Sequence, residues 1–197
     1  MRTCLILILW CCSSVLVYAN TYYEDYSGQG HWYLSLGYEA GKLDQSLTGQ
    51  GNYDVAAPVI ALGGVGPQAV RFEVSWARLA DSSGDWITSG MDADLWLPGD
   101  PTRRLRPYLI IGAGLQRYYG DRSSAKAESF FNQEGADNEA VSYKFGLALV
   151  GNITRTLEAD VSFLHRIMKW DANTENDDGR EANATVNALR FSLRQLF

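Results

Sequence analysis

The residues of this sequence that are best placed for catalysis surround one histidine. The chain contains two histidines, His31 and His165. Ser162 and Asp160 lie close to His165, and serine, histidine and an acid are the side chains of nucleophilic hydrolysis. Side chains of a strand alternate between two faces, so Ser162 and Asp160 would point away from His165. We therefore expect no catalytic residue, no cofactor and no enzymatic activity, with a lipid-modifying enzyme as one alternative.

The segment 170–181 carries the side chains most suited to a metal ion. Carboxylate and amide oxygens on a flexible loop suit calcium. These residues are Asp171, Asn173, Glu175, Asp177 and Asp178. The glycine at the sixth position of a calcium-binding EF-hand loop is replaced by Asn176 when the count starts at Asp171. We therefore predict a hydrated acidic loop and no metal site.

The N-terminus is predicted to direct the chain out of the cytoplasm. Residues 1–19 begin with the basic Arg2, continue with an apolar run and end on the small Ala19, which is the pattern of a cleaved secretory signal. Segment 20–29 has no hydrophobic period and is predicted to be a leader. Residues 30–197 have a length that suits one domain.

Cysteine content and charge exclude several classes of function. The three cysteines all lie within the signal, so the mature chain is predicted to hold neither disulfides nor cysteine-bound metals. The whole chain has 17 basic and 23 acidic residues and a net charge of −6. Removal of Arg2 with the signal would make that charge −7. Such an acidic chain is not expected to bind nucleic acid.

The last eleven residues show most clearly how the domain is built. Leu189, Phe191 and Leu193 alternate with Arg190, Ser192 and Arg194 before the chain ends on Phe197. This period of two predicts a strand with one apolar and one charged face. No stretch after residue 19 has the roughly 18 consecutive apolar residues of a membrane helix, so we expect any membrane crossing to be made by strands.

The same alternation recurs through the domain and predicts eight strands. Their approximate ranges are 30–40, 55–63, 69–79, 86–97, 104–118, 140–150, 155–168 and 187–197. Tight turns rich in glycine and proline follow the second and fourth strands, and a further tight turn follows the sixth. Longer polar loops occupy 41–54, 119–139 and 170–181. Turns at one end and loops at the other are typical of an outer-membrane barrel with extracellular loops.

The charged residues of these strands predict which face is inside. Nine of them share the face opposite to the apolar residues: Arg71, Glu73, Asp92, Asp94, Lys144, Glu158, Asp160, Arg190 and Arg194. A basic residue facing lipid near the midplane costs about 2–4 kcal/mol, and a whole fold is stable by only about 5–15 kcal/mol. The nine are therefore predicted to form a charge network in the lumen. Eight strands leave an interior that side chains can fill, so we expect a packed lumen.

The chain resembles the small outer-membrane β-barrel proteins of Gram-negative bacteria, the OmpA-like and OmpW-like group. The segments 30–38, 72–76 and 106–115 carry this resemblance. Phe197 is similar to the terminal aromatic residue of the family, which implies recognition by the barrel-assembly machinery. At Gln195 the sequence departs from the family, which often has an aromatic or aliphatic residue there. The resemblance implies an all-β, antiparallel, up-and-down transmembrane barrel of the cell envelope.

The sequence also resembles a family of soluble barrel proteins. Gly30, His31 and Trp32 fit the G-x-W motif of lipocalins, which are secreted eight-stranded barrels with apolar ligand cavities. The charged alternate face argues against such a cavity. The sequence thus predicts a monomeric, non-enzymatic barrel embedded in outer-membrane lipid, with a structural role or a surface ligand bound by its loops. A narrow, porin-like channel and a lipocalin-like binder are the alternatives.

Overall fold

The structure is a computed structural model that describes residues 31–45, 53–82, 86–100, 105–119, 138–171 and 181–197. Eight strands follow one another around a closed, fully antiparallel barrel. They are β1 His31–Gln45, β2 Tyr53–Val65, β3 Arg71–Asp81, β4 Ile87–Pro98, β5 Leu105–Tyr118, β6 Glu139–Asn152, β7 Leu157–Asp171 and β8 Glu181–Leu196. The predicted fold class is confirmed. No described segment is a helix long and apolar enough to cross a bilayer.

Five of the eight strands (β1, β2, β6, β7 and β8) are longer than the sequence predicted, while β3 and β4 have the predicted lengths and β5 is one residue shorter. The eight strands contain 11 to 16 residues, whereas about nine to eleven suffice to cross a bilayer. β1 continues to Gln45 and β8 begins at Glu181, so parts of the predicted loops 41–54 and 170–181 belong to the sheet. The predicted signal 1–19 and leader 20–29 lie outside the described residues.

The two ends of the barrel differ in their connections. At the end that we call the turn end, short connections follow β2, β4 and β6. Each is fastened by backbone hydrogen bonds, from Gly66 N to Val70 O at 2.7 Å, from Gly99 N to Pro107 O at 2.9 Å and from Ile153 N to Leu157 O at 2.8 Å. The opposite end, which we call the loop end, carries the connections after β1, β3, β5 and β7. This separation of turns from loops agrees with the sequence prediction.

The register of the strands determines the circumference of the barrel and the tilt of the strands. The row of register partners that starts at Tyr33 crosses all eight strands and returns to β1 at Leu43, ten residues further along. Its members are Tyr33, Gly63, Glu73, Asp94, Gly112, Lys144, Arg166, Val186 and Leu43. Such a stagger tilts the strands by about 35–45° from the barrel axis. All residues of this row point into the lumen, because the offset is even.

The outer surface is an apolar belt. On β5 the exposed side chains from Leu105 to Leu115 include Leu109 and Ile111, and on β8 Leu189, Phe191 and Leu193 are exposed. Ten residue steps at about 3.3 Å, on a strand tilted by about 40°, span about 25 Å along the axis. This is the height of the apolar band of a transmembrane barrel. The exterior is therefore a surface for lipid.

Glycines on the inner face make room for the charged side chains. A Cβ atom built on Gly112 would lie 2.0 Å from Asp94 Oδ1, and one on Gly114 would lie 2.4 Å from Asp92 Oδ1. Both distances are far below van der Waals contact. β5 therefore contributes little volume at the height where β4 contributes two carboxylates, as the sequence predicted for its crowded face.

Candidate functional site: the charged lumen

The nine charged residues singled out from the sequence all lie inside the barrel with buried side chains. They are Arg71, Glu73, Asp92, Asp94, Lys144, Glu158, Asp160, Arg190 and Arg194. Each occupies an inward position of its strand, and all except Arg194, which is followed by Gln195, lie between two apolar neighbours. The fold therefore separates the two kinds of side chain completely at these positions.

Nine lumen side chains form one uninterrupted chain of ion pairs in which acids and bases alternate. Its order is Asp94, Lys144, Asp92, Arg166, Glu39, Arg190, Glu73, Arg194 and Asp160, and each neighbouring N···O distance lies between 2.7 and 3.4 Å. We call this set the alternating chain. Seven of the nine have an oppositely charged residue on both sides, so repulsion between like charges is offset throughout.

A second ionic cluster contains two bases and one acid. Arg71 donates to Glu158 through both terminal nitrogens, from Nη1 to Oε2 at 2.7 Å and from Nη2 to Oε1 at 3.1 Å. Arg106 donates to the same carboxylate. This cluster contacts the alternating chain through Tyr33, which donates to Glu73 at 3.1 Å and lies beneath the guanidinium groups of Arg71 and Arg194.

The lumen is electrically balanced. The two groups together hold six bases and six acids, so their formal charges cancel. A buried charge carries a large desolvation cost, which attraction to an opposite charge and hydrogen bonds can offset. The balance explains how twelve ionic side chains fit inside a narrow barrel. It also leaves no excess of one sign that would attract ions of the other.

Three members of the ionic groups escaped the sequence prediction. Glu39, Arg106 and Arg166 are buried and paired like the others. The feature of the sequence that identifies them is an even spacing from other inward-facing residues of the same strand. Glu39 follows Tyr33 and Ser35 at even spacing on β1, and Arg166 follows Ser162 on β7. Strand periodicity assigns all of these residues to the inner face.

An apolar layer closes the lumen at the loop end. Along β7, Met168 and Trp170 follow Arg166, and in β8 the buried residues from Ala182 to Ala188 precede Arg190. The ring of Trp86, just before β4, lies 4.9 Å from that of Tyr118 and 5.8 Å from that of Trp170, measured between centroids. We call these three residues the aromatic cap. The cap and the small residues around it separate the alternating chain from the loops.

This apolar layer also explains the unexpected length of the strands. It lies nearer the loop end than the ionic groups, on the strand ends that extend past the lipid-facing belt. The backbone there still needs hydrogen-bond partners, and continued strand pairing provides them. In β8 an inner face of alanine and valine beside polar outer residues has no strong charge alternation, which is why the predicted last strand began only at Asn187.

The residues around His165 do not form a catalytic group. His165 lies on the outer side of the wall, where its Nδ1 is 2.8 Å from Oδ1 of Asn187. Ser162 and Asp160 are buried on the inner side. Within the described ranges no three metal-binding side chains come together. The acidic positions 172–178 lie outside those ranges.

The arrangement of the two faces shows whether the outside of the barrel is surrounded by water or by lipid. Tyr143, Phe145, Leu147 and Phe163 are 44–64% exposed, while Lys144 and Arg194 are fully buried. In water this distribution would leave a continuous apolar surface far larger than soluble monomers carry. It also rules out the apolar ligand cavity of a lipocalin over the height of the ionic groups. The barrel therefore belongs in a bilayer.

Comparison with known proteins gives the fold and no closer relationship. Neither a protein-family model nor a curated protein sequence matches this chain. The crystal structure of Neisserial surface protein A (NspA) is similar with a TM-score of 0.58 and 18% identity, over 84% of this chain and 97% of that one. The solid-state NMR structure of the outer membrane protein AlkL in DMPC lipid bilayers has a TM-score of 0.50 and 14% identity, over 88% and 93%. The chain thus has the fold of the small eight-stranded outer-membrane barrels, as the resemblance in its sequence implied.

Proposed function

We propose that this protein is a non-enzymatic, monomeric outer-membrane barrel that supports envelope structure or contacts a surface partner through its loops. The observation that carries the proposal is the lumen, in which twelve paired charges and an aromatic cap occupy the space that a pore would need. Among the described residues, a lumen filled by paired charges suits a scaffold better than a catalyst or a channel. A surface partner would then be contacted through the loops.

The interior supports a closed barrel more strongly than a conducting one. Arg194 illustrates this, since its guanidinium contacts Glu73 and Asp160 and lies 4.3 Å from the ring of Trp96. A side chain held by two carboxylates and an aromatic ring has little freedom to move aside. An ion crossing the lumen would have to displace several such groups at once.

Conductance in planar bilayers tests the closed lumen. We expect the wild-type protein to insert without steady ion current. A variant in which Asp92, Lys144 and Arg166 are all replaced by alanine removes three linked members of the alternating chain and should conduct, provided that its heat-modifiable gel migration shows a folded barrel. Steady current through the wild-type protein would refute the closed lumen.

The enzymatic alternative is tested separately. Membranes from cells that express His165→Ala or Ser162→Ala are expected to have the same lipid profile as membranes with the wild-type protein. A product that disappears with either substitution would establish a lipid-modifying activity. Fractionation tests the location: extraction into buffer without detergent would contradict an outer-membrane protein.

A further inference from the structure

The outward charges of the strands lie at one end of the barrel. Among outward strand positions whose side chains the structure describes, every charged residue lies at the loop end. They are Lys42, Asp44, Asp54, Arg78, Arg117, Glu139 and Lys169. The turn end of the belt instead finishes on residues such as Trp32, Leu105 and Phe197. The two boundaries of the belt therefore differ in chemistry.

The four basic members follow a pattern that runs around the barrel. β1, β3, β5 and β7 run from the turn end to the loop end, and on each the first outward charge beyond the apolar belt is basic. These residues are Lys42, Arg78, Arg117 and Lys169, all exposed. Long basic side chains at this position keep their charge in the headgroup layer while their stems cover apolar surface. The pattern is that of a boundary with an anionic layer of lipid headgroups.

Arg78 and Arg117 form the best-defined part of this boundary. Both are register partners of Ser89, so the three residues make one outward row across β3, β4 and β5. Two strand spacings separate the arginines by about 10 Å at the backbone. Guanidinium groups reaching from both sides can share one phosphate, for which their planar fork of donors is suited.

Directly beneath this polar row lies an apolar row on the same three strands. Trp76, Met91 and Leu115 are register partners, and they are 40%, 56% and 61% exposed. Together the two rows present phosphate donors above and an acyl-binding surface below. This is the order of groups in a lipid with a phosphorylated head.

The surrounding charges favour an anion at this position. No described outward position of β3 or β4 carries an acid. Glu139 accepts a hydrogen bond from Arg117, but it lies on β6, on the side of Arg117 away from Ser89. Among the outward strand positions that the structure describes, no carboxylate therefore lies between the two arginines.

We propose that Arg78, Ser89 and Arg117, with Trp76, Met91 and Leu115 beneath them, bind a phosphate-bearing lipid of the outer leaflet. The inference rests on the proposed membrane location but adds a specific lipid site to it. The headgroup phosphate lies between the arginines, and the acyl chains cover the apolar row. Free inorganic phosphate lacks those chains and is expected to compete poorly.

Native mass spectrometry of the protein released from phosphatidylcholine nanodiscs tests the site. The probe is bisphosphorylated lipid A, compared with the same glycolipid after removal of its phosphates. We expect the wild-type protein to retain the phosphorylated form selectively. The double variant Arg78→Gln, Arg117→Gln should lose about 30-fold in binding constant, because each basic residue near a charged lipid surface contributes about a factor of five.

Two further variants serve as controls. Arg155→Gln removes an exposed arginine at the turn end and should leave lipid binding unchanged. Glu139→Gln removes the acid beside Arg117 and should bind at least as tightly as the wild type. Equal retention of the dephosphorylated lipid, or unchanged binding by the double variant, would overturn the site. Because all variants are compared as folded barrels in nanodiscs, either result would leave the membrane barrel itself intact.

Discussion

Arg71 and Glu158 lie 87 residues apart in the sequence and meet in a two-pronged ion pair inside the barrel. Within the part of the chain that the structure describes, Arg71 has this one carboxylate as its ion-pair partner, whereas Glu158 also accepts from Arg106. The pair joins β3 to β7 across the lumen. Their different numbers of partners make their substitutions unequal.

Loss of Glu158 is therefore expected to destabilise the barrel more than loss of Arg71. Removal of one partner of a buried pair typically costs about 3–5 kcal/mol. Arg71→Met leaves Glu158 with Arg106, but Glu158→Gln removes the carboxylate that both guanidinium groups share. Denaturant unfolding in lipid vesicles measures the difference. The exposed pair of Arg117 and Glu139 is the control, since Arg117→Gln should leave the unfolding free energy nearly unchanged.

Alanine at Gly112 is expected to destabilise the barrel. The added methyl group would overlap Asp94 Oδ1 and crowd the backbone oxygen of Ala93. Overpacking of this kind usually costs about 1–3 kcal/mol. Ala113→Val is the matched control, because Ala113 is adjacent in sequence and exposed on the lipid side. Equal stability of Gly112→Ala and the wild type would show that the lumen is looser than described.

Arginine is expected to be costly in the middle of the apolar belt and tolerated at its edge. Leu193 and Asn187 both face outward on β8, with Leu193 within the belt and Asn187 at the loop end. Leu193→Arg should lower the unfolding free energy in vesicles by about 2–4 kcal/mol, and Asn187→Arg by about 0–1 kcal/mol. Similar costs at both positions would contradict the assignment of the lipid boundary.

Deletion of Phe197 is expected to separate assembly in cells from folding in detergent. The side chain of Phe197 is 73% exposed, and its backbone nitrogen donates to Trp32 O at 2.9 Å. Its loss removes little buried surface, so heat-modifiable folding in detergent should persist. If Phe197 is the signal for the barrel-assembly machinery, the amount of folded protein in the outer membrane should fall severalfold. Phe191→Ala, another exposed aromatic change on β8, should not have this effect on assembly.

The sequence predicted the barrel because its strands obey a period of two over most of their length. Lys144 between Tyr143 and Phe145, or Asp94 between Ala93 and Leu95, defines both the strand and the direction in which its side chain points. Such alternation is a local property. It therefore yields the strand count, the position of turns and the sorting of faces without knowledge of the partners.

The partners themselves depend on register, which local patterns do not contain. Nothing near Arg166 in the sequence indicates that it lies between Glu39 and Asp92, because those residues come from β1 and β4. The sequence likewise did not indicate that Trp86 and Trp170 face the lumen. Aromatic residues near strand ends suit the interfacial girdle as well as the lumen, and only closure of the barrel brings these two rings together.

The ten-residue offset between Tyr33 and Leu43 restricts how this chain can change in length. One residue inserted within a strand would turn every side chain beyond it to the opposite side, placing arginine in lipid and leucine among carboxylates. Two inserted residues would preserve the facing but alter the circumference, and ion pairs that now span the bore would no longer reach each other. Insertions and deletions in homologues should therefore accumulate between the strands, while the eight strands keep their lengths.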